Sequence, residues 1–182
     1  MRWSIRVGKI LGIEVRIHVT FFLLLAFFAM AFHAQGGMPA AIDGVIYILL
    51  LFGCVLLHEF GHAIAAKAYG IRTPDITLLP IGGVARLERM PEKPFQEFVV
   101  AIAGPLVNVV IAFGLLLVMG GRGDFTSLER IQHPQTDLVT RLLLTNVVLV
   151  VFNLLPAFPM DGGRILRAAL TPAFGALKAT RA

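Results

Sequence analysis

The chain has 182 residues, of which 57% are hydrophobic and 15% charged, with a formal net charge of +5. That apolar share lies well above a soluble domain's and marks an integral membrane protein, so the excess of Lys and Arg reads as loop bias rather than as a nucleic-acid footprint. A single cysteine, Cys54, excludes an intrachain disulfide.

In chain order, the first residues carry Arg2, Arg6, Lys9 and Arg16 and show no small-residue cleavage site, so no cleavable leader is expected. An apolar run from Val15 to Phe32 is the first expected span; it is somewhat short, which tilt or local thinning can absorb. A turn-rich loop, His33 to Pro39, follows. The second span runs from Val45 to Ala68, the third from Phe98 to Met119, and the fourth from Leu138 to Leu155, ended by Pro156. Between spans two and three, Asp75 to Glu88 lacks helical periodicity and reads as strand, Gly82-Gly83 turn, strand. The expected fold is therefore an all-α polytopic membrane protein of about four spans, with a membrane-associated β-hairpin. With the N-terminus in the cytoplasm, thirteen of the sixteen Lys and Arg fall on cytoplasmic segments; only Arg122, Arg130 and Arg141 lie on the outer side.

The chemistry concentrates in the second span, at His58-Glu59-Phe60-Gly61-His62. Residues four apart stack on one helix face, so the two imidazoles can share one zinc ion and Glu59 can act as general base on a water beside it. Ionisable groups in hydrocarbon are costly, and a metal gives both His a partner at once. A catalytic zinc site normally has three protein ligands and an open position. Asp161 follows a fourth span broken by Pro156 and Pro159 and reaches the same cytoplasmic-side depth; its position suits either a third ligand or the N-cap of a helix from Gly162 to Leu170. Asn108 and Asn153 suit either interhelical hydrogen bonding or support of a reacting carbonyl. Gly104-Pro105 suits a close helix approach or a kink. Cys54, one turn before His58, packs as a small apolar residue, since three stacked side chains on one straight helix cannot surround one ion. His18 is interfacial, and His33 and His133 are loop residues.

Four segments in this order, His58-Glu59-Phe60-Gly61-His62, Pro80 to Ala85, Ala103 to Asn108, and Asn153 to Pro156 with Met160 to Arg164, resemble the site-2 protease family of intramembrane zinc metalloproteases. They are most similar to its bacterial and archaeal branch, which includes the sporulation factor-processing protease. The resemblance covers nearly the whole chain and implies one zinc per chain on His58, His62 and Asp161, with Glu59 as catalytic base. It suggests Asn153 and Asn108 near the reacting carbonyl, and Gly82 and Gly83 in a hairpin that presents substrate. It implies single-span membrane proteins as substrates, cut within the bilayer of a prokaryotic plasma membrane with the site nearer the cytoplasm. Residues 1–182 then form one transmembrane metalloprotease core. Many relatives in that branch continue into two more membrane helices and a nucleotide-sensing domain, so truncation to the core is expected here. The rival readings are a metal-ion transporter, which needs polar groups along a path across the bilayer, and a client-binding scaffold, which has no use for Glu59. Nucleic acid is not an expected partner, and the sequence leaves homo-oligomer formation open.

Overall fold

A computed structural model describes residues 3–91, 93–121 and 136–174. In chain order these form β1 (Ser4–Ile10), β2 (Ile13–His18), α1 (Thr20–Ala68), β3 (Asp75–Leu79), β4 (Gly82–Arg86), α2 (Pro94–Val118), α3 (Leu138–Asn153) and α4 (Asp161–Phe174). The expected loop position of His133, and the tail beyond residue 174, lie outside the described residues.

The fold is mostly helical, but the all-α expectation is corrected by a four-stranded sheet of order β1-β2-β3-β4. β1 and β2 pair antiparallel, β2 and β3 parallel, β3 and β4 antiparallel. The N-terminal strands follow from a period of two: Ile13, Val15 and Ile17 alternate with Glu14, Arg16 and His18, and β-branched residues suit a pleated surface. Leu11 (φ 52°) and Gly12 (φ 89°) are both left-handed, the backbone of a type I′ hairpin turn. Residues 15–18, expected to open the first span, therefore belong to β2, and the helix begins at Thr20.

α1 is two helical rods meeting at Gly36 and Gly37, the latter left-handed at φ 69°. The rods fold back on each other: the Phe21 and Phe52 rings lie 4.6 Å apart, and Phe32 packs where Gly44 leaves room. The expected loop of residues 33–39 thus contracts to two glycines, and the second rod starts before Val45, with Pro39 in its first turn, where no N–H is needed. α2 starts at Pro94, earlier than expected. α1 and α2 are long and apolar enough to cross a membrane; α3, at 16 residues, is apolar but shorter. The Asp137 side chain caps α3 by accepting from the Thr140 N–H and hydroxyl, which hold its carboxyl below the ordinary range.

Helix and sheet meet through two apolar clusters. Ile13, Val15 and Ile76 pack on Phe60 and Ala63 of α1. Leu78 joins Phe21, Tyr47, Ile48, Phe52 and Leu142. The sheet consequently lies along the second rod of α1, beside the segment that carries the two His. The hairpin of β3 and β4 turns at Pro80-Ile81, not at Gly82-Gly83; the two glycines open β4, paired with Leu79 and Leu78.

Arg141, counted from sequence among outer-side charges, is fully buried on α3. It pairs with Asp43 of α1, its guanidinium lies 4.1 Å from the Tyr47 ring centre and 5.2 Å from that of Phe32, and the Tyr47 hydroxyl meets Thr145 at 2.6 Å. At the other end of the bundle Arg167 of α4 pairs with Glu97 of α2.

Candidate active site

His58 and His62 sit one turn apart on α1, both buried, with Nε2 atoms 3.1 Å from each other. Asp161, the first residue of α4, brings Oδ2 to 3.2 Å from His58 Nε2 and 3.1 Å from His62 Nε2. The broken stretch Leu154–Met160, with a cis Phe158–Pro159 bond, carries the chain from α3 to this point.

The other nitrogen of each ring is already engaged. His58 Nδ1 is 2.6 Å from Asn108 Oδ1, and His62 Nδ1 is 2.7 Å from the Val100 carbonyl. Both partners are oxygens that accept, so each Nδ1 donates and each Nε2 presents a lone pair. Three acceptor atoms then converge on one point, which is unfavourable until a cation sits among them. Their separations are close to the ~3.3 Å between neighbouring ligand atoms around a tetrahedral zinc ion. Donor type, tautomer and spacing all fit that metal, and this group of His58, His62 and Asp161 can hold it.

Two neighbours make the convergence possible. A Cβ on Gly104 of α2 would stand 2.3 Å from His62 Nε2 and 2.7 Å from His58 Nε2, so only a bare backbone can pass there. Gly61, between the two His, lets α2 close to the same short distance: a Cβ there would meet the Ala103 carbonyl at 2.7 Å. Asn108 is itself held. Its Nδ2 donates to Asn146 Oδ1 at 2.8 Å, and Asn146 Nδ2 donates to the Leu142 carbonyl at 2.8 Å. His58 is thereby tied through α2 to α3. Asn146 was not singled out from the sequence; its signal was an amide inside an otherwise apolar stretch of α3.

Glu59 points to the other side, onto β4. Its Oε2 accepts from the Ala85 N–H at 3.2 Å, and a Cβ on Gly83 would stand 2.5 Å from its Cγ. A cavity of about 610 Å³ joins these parts, lined by His58, Glu59, His62 and Asp161 together with Gly82, Gly83, Asn108 and Asn153. The Asn153 amide donates to the Leu149 carbonyl at 2.9 Å and borders the cavity without bonding to the His–Asp group. Arg164 Nη1 is 4.0 Å from Asp161 Oδ1. Cys54 lies at the far side of Asn146, 3.5 Å from its Nδ2, and His18 bonds to the Thr20 hydroxyl. His33 is exposed on the helix rather than in a loop.

The model of the peptidase family M50 matches residues 46–129 and 125–182 of the chain. A zinc metalloprotease of Methanocaldococcus jannaschii is 42% identical over 181 residues, covering all of this chain and 50% of that protein. Stage IV sporulation protein FB of Bacillus subtilis is 31% identical over 160 residues, covering 87% of this chain and 49% of that one. The solved structure of a site-2 protease from M. jannaschii superposes with a TM-score of 0.70 at 40% identity, over 98% of this chain and 77% of that chain. The chain spans about half the length of the curated relatives it matches.

Proposed function

The chain belongs to peptidase family M50, the site-2 proteases, and from that membership we propose that it is a zinc-dependent endopeptidase cutting within the membrane-spanning segments of other proteins. The observation that carries the reading is one cavity holding a three-ligand group, a carboxylate outside that group, and a strand edge beside both.

His58, His62 and Asp161 would hold zinc. When bound, the metal supplies Lewis acidity that makes a water nucleophilic near neutral pH and polarises a carbonyl. Glu59 takes the proton of the attacking water on its carboxylate and returns it to the departing amine. Because Oε2 is fixed by the Ala85 N–H, the carboxylate needs little reorganisation to do so. β4 is the edge strand of the sheet, and its outer backbone groups can receive an unwound substrate segment as an added strand. Gly82 and Gly83 keep that edge low enough for a peptide to reach the carboxylate. Asn153 retains a second amide N–H for a substrate carbonyl. Asn108 acts one step back, through His58. The substrates are single-span membrane proteins, and the site lies nearer the cytoplasmic face of a prokaryotic plasma membrane, as the distribution of Lys and Arg supports. Residues 1–182 act as the membrane core of the enzyme. Neither transport nor client holding gains support: the matched family is one of peptidases, its relatives include a zinc metalloprotease, and Glu59 lines the cavity that holds the three-ligand group.

The test is cleavage of a panel of single-span membrane proteins co-expressed with the chain. A fragment is expected with the wild type, is lost on zinc chelation, and falls at least about a hundredfold with Glu59→Gln. Glu59→Gln should keep its zinc. A variant that lost the carboxylate and cut at the wild-type rate would falsify the assignment.

A further inference from the structure

The N-terminal strand has two chemically opposite faces, and one of them is uncovered. Residues directly opposite in a sheet share a face. Ile5 stands opposite Ile17, Gly8 opposite Val15, and Ile10 opposite Ile13. Ile13 and Val15 are the buried residues that pack on Phe60 and Ala63 of α1, and Ile17 packs beside Phe21 and Phe52. The face of β1 that carries Ile5 and Ile10 is thus the face the sheet turns toward the membrane helix. Trp3, just before the strand, is tied to the end of β2: its carbonyl accepts from the Val19 N–H. α1 covers this face over β2 and stops short of β1: Trp3 is 70% exposed, Ile5 53% and Ile10 49%. The opposite face is charged, with Arg6 facing Arg16 and Lys9 facing Glu14.

What covers the apolar face is indicated by what adjoins it. From Trp3 the chain passes through the Val19 contact to Phe22, Leu23, Phe27 and Met30, exposed apolar residues on the first rod of a membrane-crossing helix. The exposed apolar residues of α1 and those of β1 thus adjoin at the Val19–Trp3 backbone contact. A bare strand edge cannot lie in hydrocarbon, where its backbone groups would find no partner. At the headgroup boundary it can: water and headgroups reach the edge and the Arg6, Lys9 and Arg16 face, while the apolar face rests on acyl chains. A single aromatic with a polar N–H at the end of that face is the residue type that favours this boundary.

We propose that β1 is a lipid-contacting strand, lying at the headgroup–acyl boundary of the leaflet beside the His58–His62 end of α1, with Trp3 as its interfacial anchor. This does not depend on the chain being a protease.

The chain has one tryptophan, so its intrinsic fluorescence reports on Trp3 alone. The full chain is reconstituted in vesicles of phosphatidylcholine and phosphatidylglycerol, with nitroxide lipids labelled either near the headgroup or near the chain end. Shallow nitroxide should quench Trp3 about twofold more than deep nitroxide, and aqueous iodide should quench it about twofold less than free tryptophan amide, as an interfacial indole requires. Iodide quenching equal to that of the free amide, with neither nitroxide effective, overturns the proposal. Protection from iodide that disappears when protein is diluted into excess lipid assigns the face to a second copy and overturns it too. The pair Ile5→Lys and Ile10→Lys changes only exposed side chains of this face; it should shift Trp3 emission to the red and weaken nitroxide quenching, and an unchanged spectrum counts against lipid contact.

Discussion

Gly104 shows how small the tolerance of the site is. No side chain fits between α2 and the two Nε2 atoms, and a methyl group there collides with the metal-facing nitrogen of both His58 and His62. Gly104→Ala should fold and hold zinc roughly tenfold or more less tightly, the cost of forcing one methyl into a packed site; zinc titration against a competing chelator measures it. Gly83→Ala makes a contrasting case, because its methyl meets Glu59 and not the His pair. That variant should keep its zinc and lose cleavage. At this scale the sequence was informative where chemistry is local. His58, Glu59 and His62 are one helical turn and could be read directly. Asp161 lies 99 residues from His62, so spacing alone left it between ligand and helix cap. In the structure Asp161 is the first residue of α4, and its carboxylate faces the two rings. Asn108 was legible as a polar residue in an apolar helix, but its partner His58 was not, because nothing in one sequence records which helices touch.

Among the elements, the three-helix tie from His58 through Asn108 to Asn146 fixes one imidazole against two neighbouring helices. Removing such an outer partner typically lowers metal affinity by about 10–100-fold. Asn108→Ala should show that loss with Glu59 chemistry otherwise intact, so activity should return when zinc is raised; activity that stays lost at saturating zinc would point to a direct role at the substrate. The sheet was only half legible. The Asp75–Glu88 stretch lacks helical period and was read as a hairpin. The Ile13, Val15, Ile17 alternation was present too, but it abuts a long apolar run, and the run's hydropathy masked the change of period. The same ambiguity merged strand residues into the first expected span. The glycine break in α1 is shorter than the loop its composition suggested, since two glycines suffice to reverse a helix when one adopts a left-handed φ.

Across the whole molecule, two ion pairs hold the helices at opposite ends: Arg141 with Asp43, and Arg167 with Glu97. Arg141 combines full burial with stacking on two rings. Arg141→Ala should cost on the order of 3 kcal/mol, seen as a lowered unfolding temperature in detergent, while the zinc affinity of the folded fraction stays unchanged. A loss of zinc affinity equal to the loss of stability would show instead that this end of the bundle governs the site. Charge counting could not foresee the pair, because it treats every Arg near a helix end as solvated.

The parallel pairing of β2 with β3 has a consequence in time. The two strands are neighbours, yet all of α1 is synthesised between them. β2 leaves the ribosome first and must wait until both rods of α1 have been made and β3 has returned to meet it. Contacts so distant in sequence form late. β4, which seats Glu59, follows β3, and Asp161 follows later still. A nascent chain therefore carries His58, Glu59 and His62 long before Asp161, the third member of the group and 99 residues beyond His62, exists, and the strand that seats Glu59 is made well before the acid.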